Sequence, residues 1–132
     1  MTEIISSSRY QILLAEDDEV NQEIVIALLG GSNLDLTIAS DGRAALEAAL
    51  SRKFDLLIVD QNMPFITGDR VVRHLRAGRS LNAETPVIRF TAEADARPID
   101  YARIVGTLDV TLPKPLRRDT LISTIRALLG DS

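Results

Sequence analysis

Residues 54–64 read FDLLIVDQNMP. Four consecutive apolar residues, Leu56-Leu57-Ile58-Val59, run into a carboxylate at Asp60, and Met63-Pro64 closes the stretch. A short continuous apolar run between turn signals is the pattern of a strand covered on both faces, as in a parallel sheet. Leu56 to Asp60 is therefore predicted as a buried strand, with Asp60 at its carboxyl end. Residues 12–22, ILLAEDDEVNQ, repeat the pattern: Ile12-Leu13-Leu14-Ala15 ends in Glu16-Asp17-Asp18. In a parallel sheet the two strand ends meet on one edge. Three carboxylates sharing one pocket repel each other unless something positive sits between them.

Outward from these two runs, short apolar segments alternate with longer ones of helical period, the signature of βαβ units. Five units fit. The first strand is roughly Gln11 to Ala15, and a helix starting near Asp18 places Val20, Ile24 and Leu28 on one face before Gly30-Gly31. The second strand is Asp35 to Ala39; Asp41 or Ser40 caps a helix carrying Ala45, Leu46, Ala49 and Leu50 inward. After the third strand, a loop punctuated by Pro and Gly leads to Gly68 and a helix with Val71, Val72 and Leu75. The fourth strand is Val87 to Thr91, followed by a short helix from about Pro98 to Val105. The fifth strand is near Asp109 to Leu112, and the last helix buries Leu121, Ile122, Ile125, Leu128 and Leu129.

The composition bounds the function. At 132 residues the chain is one ordinary domain with a sizeable core. Its net charge of −4 argues against non-specific nucleic-acid binding, which needs a basic surface to displace counterions. With no cysteine, disulfides and thiolate metal sites are excluded. No apolar run is long enough to cross a bilayer, and Met1 to Tyr10 reads as a short polar lead-in rather than a signal peptide, so a cytoplasmic location is expected.

Open parallel sheets bind ligands beyond the carboxyl ends of their strands. Here the first strand ends in Glu16-Asp17, the third in Asp60 and the fourth in Thr91, while Pro113-Lys114-Pro115 follows the fifth. Taken singly, an acid after a strand is an ordinary helix cap, a terminal Thr satisfies a backbone group and a lone Lys is solvated. Those plain readings give no reason for acids, a hydroxyl and an ammonium to converge on one edge from four separated stretches.

With those residues in view, the chain resembles the receiver domain of two-component response regulators over essentially its whole length. The runs ILLAEDDEVNQ, FDLLIVDQNMP, PVIRFTAEA and LPKP carry the resemblance, in that order. It implies a flavodoxin-like α/β fold: a five-stranded parallel sheet of order 2-1-3-4-5 flanked by five helices, with residues 1–10 as lead-in and 11–130 as the receiver domain. It further implies that Asp60 accepts a phosphoryl group from a phosphohistidine on a histidine kinase or histidine phosphotransfer protein. Glu16, Asp17, Asp60 and the Asn62 carbonyl would hold Mg²⁺, Thr91 would hydrogen-bond the phosphoryl group and Lys114 would pair with it. Such a domain is no conventional enzyme, although it promotes its own phosphorylation and dephosphorylation; its output is altered binding to a downstream protein target, with no nucleic-acid or membrane partner. Glu93 and Asn62 would border the path of the hydrolytic water. Lys114-Pro115 is expected to be cis, since proline lowers the cost of that isomer to about 0.5–1 kcal/mol and the resemblance points the same way.

The chemistry supports these assignments on its own terms. A carboxylate and an incoming phosphoryl group are both negative, so transfer needs positive charge on the equatorial oxygens. Mg²⁺ takes oxygen ligands and keeps several waters, which suits an open acidic pocket at strand ends.

Some positions depart from the pattern. Thr111 aligns with a place where many receivers carry an aromatic switch residue, so the segment from Ala92 to Val105 is expected to carry the response instead. Arg89 is charged within the fourth strand, which calls for partial exposure or a carboxylate partner. Arg70, Arg73, Arg76 and Arg79 are read as a solvated helix face, and His74, the one histidine, as a surface residue. The chain stops at Ser132, just after the last helix, so no output domain is expected; the reading leaves open a free-standing regulator or a piece of a hybrid kinase. An aspartate-nucleophile phosphohydrolase would want a second acid where Asn62 stands. A flavodoxin-like nucleotide binder would want a Gly- or hydroxyl-rich loop where three acids stand. The remaining alternative is a receiver-fold protein-interaction module that works without phosphorylation.

Overall fold

The computed structural model describes residues 9–31, 33–92, 103 and 108–130. In chain order the elements are β1 (Tyr10–Ala15), α1 (Glu19–Leu28), β2 (Leu34–Ala39), α2 (Gly42–Ser51), β3 (Leu56–Asp60), α3 (Gly68–Ala77), β4 (Val87–Thr91), β5 (Asp109–Pro113) and α4 (Arg118–Leu129). The strands form one parallel sheet of order β2-β1-β3-β4-β5, as expected. Four helices stand among the described residues against the five expected; the helix placed at about Pro98 to Val105 lies outside them. Tyr10 opens β1 and pairs with Leu34 at the start of the ladder.

Both sheet faces are covered, which is why the central strands read as unbroken apolar runs. Alternate side chains divide between two cores: Ile12, Leu14, Leu56, Ile58 and Ile88 pack with α1 and α4, whereas Leu13, Leu57, Val59 and Val87 pack with α2 and α3. Each fully buried Leu, Ile or Val contributes about 1.5–3 kcal/mol of transfer free energy. β3 is buried from end to end, Asp60 included.

Two helix faces differ from expectation. α1 carries two apolar stripes, and the sheet takes the one through Val25 and Leu29, leaving Val20 66% and Ile24 46% exposed. The Asp18 side chain caps the helix, accepting from the Val20 N–H. In α2 the buried residues are Gly42, Ala45 and Ala49, and Leu50 turns outward at 48% exposure. Asp41 caps α2, accepting from the Ala44 N–H at 2.7 Å. α3 and α4 bury their expected residues, Val72 and Leu129 only partly.

Two glycines set how closely the loop after β3 can pack. A Cβ at Gly42 would lie 2.0 Å from the Ile66 carbonyl oxygen, and one at Gly68 would lie 2.6 Å from the Asp60 carbonyl oxygen. The N-termini of α2 and α3 thus clamp residues 61–67 against the end of β3.

Arg76 is not part of a solvated stripe. Its guanidinium donates to the carbonyls of Asn82, Ala83 and Leu108 and pairs with Asp109 at 2.8 Å, tying α3 to the entries of β4 and β5. Arg70, Arg73, Arg79 and His74 are exposed as expected. Asn82, in the turn after α3, is fully buried and joins three segments. Its amide donates to the carbonyls of Ala49 and Arg52 at the end of α2, and its oxygen accepts from the Phe54 N–H and the Thr85 hydroxyl.

Candidate functional site

β1 lies between β2 and β3, so the winding direction reverses at its carboxyl end, and a crevice opens beside β3. Glu16 and Asp17 follow β1 there, Asp60 closes β3, Thr91 closes β4 and Lys114 follows β5. The sheet order therefore gathers onto one edge residues that are far apart in sequence.

Asp60 is 2% exposed, yet it has partners. The Lys114 ammonium lies 2.9 Å from Asp60 Oδ1, and the Asn62 N–H donates to the same oxygen at 3.2 Å. The Lys114 N–H donates to the Thr91 carbonyl at 3.1 Å, and the Lys114-Pro115 peptide is cis, as expected. Its Nζ also sits 5.4 Å from the centroid of the Phe90 ring. Thr91 is buried, in register with Pro113 at the end of the β4–β5 ladder.

The three acids are not equivalent. Glu16 is fully buried, Asp17 is exposed, and Asp18 is used as the cap of α1. Glu16 Oε2 accepts from the Asp18 N–H at 3.0 Å, and its backbone carbonyl accepts from the Gln22 amide at 2.7 Å. Glu16 Oε1 is buried with no hydrogen-bond partner among the described residues. Glu16, Asp17 and Asp60 each present a carboxylate oxygen within 4.8 Å of the others. An orphaned buried oxygen beside two further carboxylates fits a hard divalent cation, which offsets both the repulsion and the missing hydrogen bond.

Burial pushes the Glu16 carboxyl up to about 7; the Asp18 N–H pulls it down, while the Asp60 and Asp17 carboxylates push it further up. Its ordinary value is 4.5. Between these values the folded chain holds a proton that the unfolded chain has lost, so stability falls as pH rises through this window. With a chelator present, melting temperatures are expected to fall from about pH 4.5 to about pH 7, and Glu16→Gln should flatten that slope. A slope unchanged in Glu16→Gln would contradict the assignment.

Residues not singled out as functional from the sequence also shape the site. Gln61 follows Asp60, and its side chain is held at both ends: Nε2 donates to Asp69 at 2.7 Å, and Oε1 accepts from the Asp69 N–H at 2.9 Å. Among the described residues Arg89 has no carboxylate partner; it is half-buried and donates to Gln61 Oε1 at 3.2 Å and to the Thr111 hydroxyl at 3.1 Å. Its oddity in an apolar strand was the legible signal, whereas nothing pointed to Gln61 as the acceptor. Phe65 holds a left-handed φ of 71° and is 67% exposed, with the Arg43 guanidinium 4.4 Å from its ring centroid. Glu93 lies outside the described residues.

Residues 12–126 match the family model described as the response regulator receiver domain. The chain is 33% identical to the response regulator ArlR of Staphylococcus saprophyticus over 122 residues, covering 90% of this chain and 52% of that protein. It is 34% identical to the transcriptional regulatory protein ZraR of Escherichia coli O157:H7, covering 90% of this chain and 26% of that protein. The chain thus spans about half the length of the ArlR protein and about a quarter of ZraR. Among solved structures, it is similar to the receiver domain of the sensor histidine kinase PA1611 from Pseudomonas aeruginosa, with a TM-score of 0.77, 28% identity and coverage of 94% of this chain and 100% of that one. That structure holds a magnesium ion in its active-site cleft. The chemotaxis protein CheY4 of Vibrio cholerae matches with a TM-score of 0.73 and 29% identity over 90% of this chain and 98% of that one.

Proposed function

This chain belongs to the response regulator receiver domain family of two-component signalling, and from that premise we propose that Asp60 is its phosphoacceptor, charged from a phosphohistidine on a histidine kinase or histidine phosphotransfer protein. The observation that carries this reading is the buried Asp60 carboxylate in contact with Lys114 and beside Glu16 and Asp17. Residues 11–130 act as the receiver.

In the transfer, a carboxylate oxygen of Asp60 forms a bond to phosphorus as the phosphorus–nitrogen bond of the donor breaks and the imidazole leaves. Lys114 neutralises charge on the transferring group, the Thr91 hydroxyl donates to it, and the Asn62 N–H holds the nucleophile in place. Glu16, Asp17, Asp60 and the Asn62 carbonyl would hold Mg²⁺, which supplies positive charge for the equatorial oxygens when bound. Hydrolysis of the acyl phosphate resets the domain, and Asn62 and Glu93 set its lifetime. The chain acts in the cytoplasm, consistent with there being, among the described residues, no helix long and apolar enough to cross a membrane.

Phosphorylation changes binding to a downstream protein target. Incubation with a labelled histidine phosphotransfer protein and Mg²⁺ should move label from the donor to this chain, and target affinity should differ between the two states. Label that never reaches the chain, together with identical target binding in both states, would favour the phosphorylation-independent interaction module.

A further inference from the structure

Gln61 has every polar group engaged. Its N–H donates to the Phe90 carbonyl at 3.0 Å and its carbonyl accepts from the Gly68 N–H at 2.9 Å. The amide side chain is bracketed by Asp69 on one side and Arg89 on the other. Asp69 is in turn held by the Thr67 hydroxyl at 2.7 Å, and Arg89 is anchored by Thr111 at 3.1 Å. Gln61 is the single residue between the Asp60 nucleophile and Asn62, whose N–H meets the Asp60 carboxylate. Whatever fixes Gln61 fixes the peptide that joins them.

The Arg89 guanidinium spans two strands to do this. It lies in β4, donates toward the end of β3 through Gln61, and donates to β5 through Thr111. It borders a cleft of about 160 Å³ lined by Asp69, Val72, Asp109 and Thr111 among others, so its side chain has room to leave if an anchor is lost. A charged side chain at a half-buried strand position, satisfied among the described residues by two neutral acceptors and no carboxylate, contributes little net ion-pair stability. Its geometry is what it supplies.

We propose that Arg89 is a positioning residue for the phosphoacceptor site: anchored on Thr111, it holds Gln61 so that the Asp60–Asn62 peptide stays in the geometry that nucleophile and metal require. The proposal rests on the receiver reading of Asp60, but it makes a claim about the metal-free protein that is separable from that reading.

The test uses the full chain with Arg89→Met, Arg89→Lys and Thr111→Val, compared with wild type. The first readout is hydrogen exchange without metal at the Asn62 and Gly68 amides, with the Leu13 amide in β1 as a distant control. Arg89→Met should accelerate exchange at Asn62 and Gly68 by about tenfold and leave Leu13 unchanged, and Thr111→Val, which is neutral and at an exposed position, should do the same to a smaller extent. Arg89→Lys keeps the charge but loses the two-pronged fork, so it should resemble Arg89→Met rather than wild type. The second readout is Mg²⁺ affinity by titration. Loss of a nearby cation should tighten Mg²⁺ binding through space, whereas loss of positioning should weaken it by about tenfold; the two effects have opposite signs. Unchanged exchange at Asn62 and Gly68 in both Arg89→Met and Thr111→Val would overturn the proposal, as would Mg²⁺ binding that is tighter in Arg89→Met. Wild type that takes up no Mg²⁺ would instead count against the receiver reading of the metal site, while the exchange data would still decide the role of Arg89.

Discussion

Replacing Lys114 with Met is expected to slow phosphorylation of Asp60 by about 10²-fold, since removing one preorganised electrostatic stabiliser typically costs 10²–10³. The nucleophile and the incoming group are both anionic, and Lys114 is the cation already in place, 2.9 Å from Asp60 Oδ1. Its position is built into the fold. The Lys114 N–H is bonded to the Thr91 carbonyl, and the ammonium rests near the Phe90 ring, so little reorganisation is needed when charge develops. Lys114→Arg should recover only part of the rate, because a planar guanidinium cannot take the place of a compact ammonium. Single-turnover labelling with acetyl phosphate measures this, and a Lys114→Met rate within about twofold of wild type would remove Lys114 from the chemistry.

The largest effect on stability is expected at Asn82, remote from the site. Asn82→Ala should cost about 3–5 kcal/mol, because it strands two carbonyls and one N–H in a buried setting where each unsatisfied group costs about 1–3 kcal/mol before relaxation. The stranded groups are the carbonyls of Ala49 and Arg52 and the Phe54 N–H. The Thr85 hydroxyl loses one acceptor but keeps its contacts with the Phe54 carbonyl and the Lys53 ammonium, so it adds little. Urea denaturation gives the value directly; a loss under about 1 kcal/mol would mean that water replaces Asn82 without penalty. The folded fraction should still accept phosphate, since no Asn82 contact reaches Asp60.

The parts of this molecule that were legible from sequence are those written in local pattern. Leu56 to Asp60 and Ile12 to Glu16 could be read because a strand covered on both faces leaves a continuous apolar run, and an acid at its end has only one edge to occupy. Where two patterns competed, local reading chose wrongly: Val20-Ile24-Leu28 is as good a stripe as Val25 and Leu29, and only the docked sheet decides between them. The Asp18 cap belongs to the same ambiguity, since Glu16, Asp17 and Asp18 look alike as letters but are respectively a buried site carboxylate, an exposed one and a helix cap. Arg76 reads as solvated and Asn82 draws no notice in the sequence, and the partners of Arg89, partly exposed as expected, are not legible there, for a different reason. Their partners are distant in sequence: Arg76 meets Asp109, Arg89 meets Gln61 and Thr111, and Asn82 meets Ala49. No periodicity encodes such contacts. Thr111 illustrates both sides: its lack of an aromatic ring is plain in the sequence, but its hydrogen bond to Arg89 appears only when β4 and β5 pair.

The central claim is that one carboxylate, Asp60, takes the phosphoryl group. Intact-protein mass spectrometry after incubation with acetyl phosphate and Mg²⁺ tests it most directly, on wild type and Asp60→Asn side by side. The account predicts a single phosphoryl group on wild type and none on Asp60→Asn; equal labelling of the two, or none on either with Mg²⁺ bound, would contradict it.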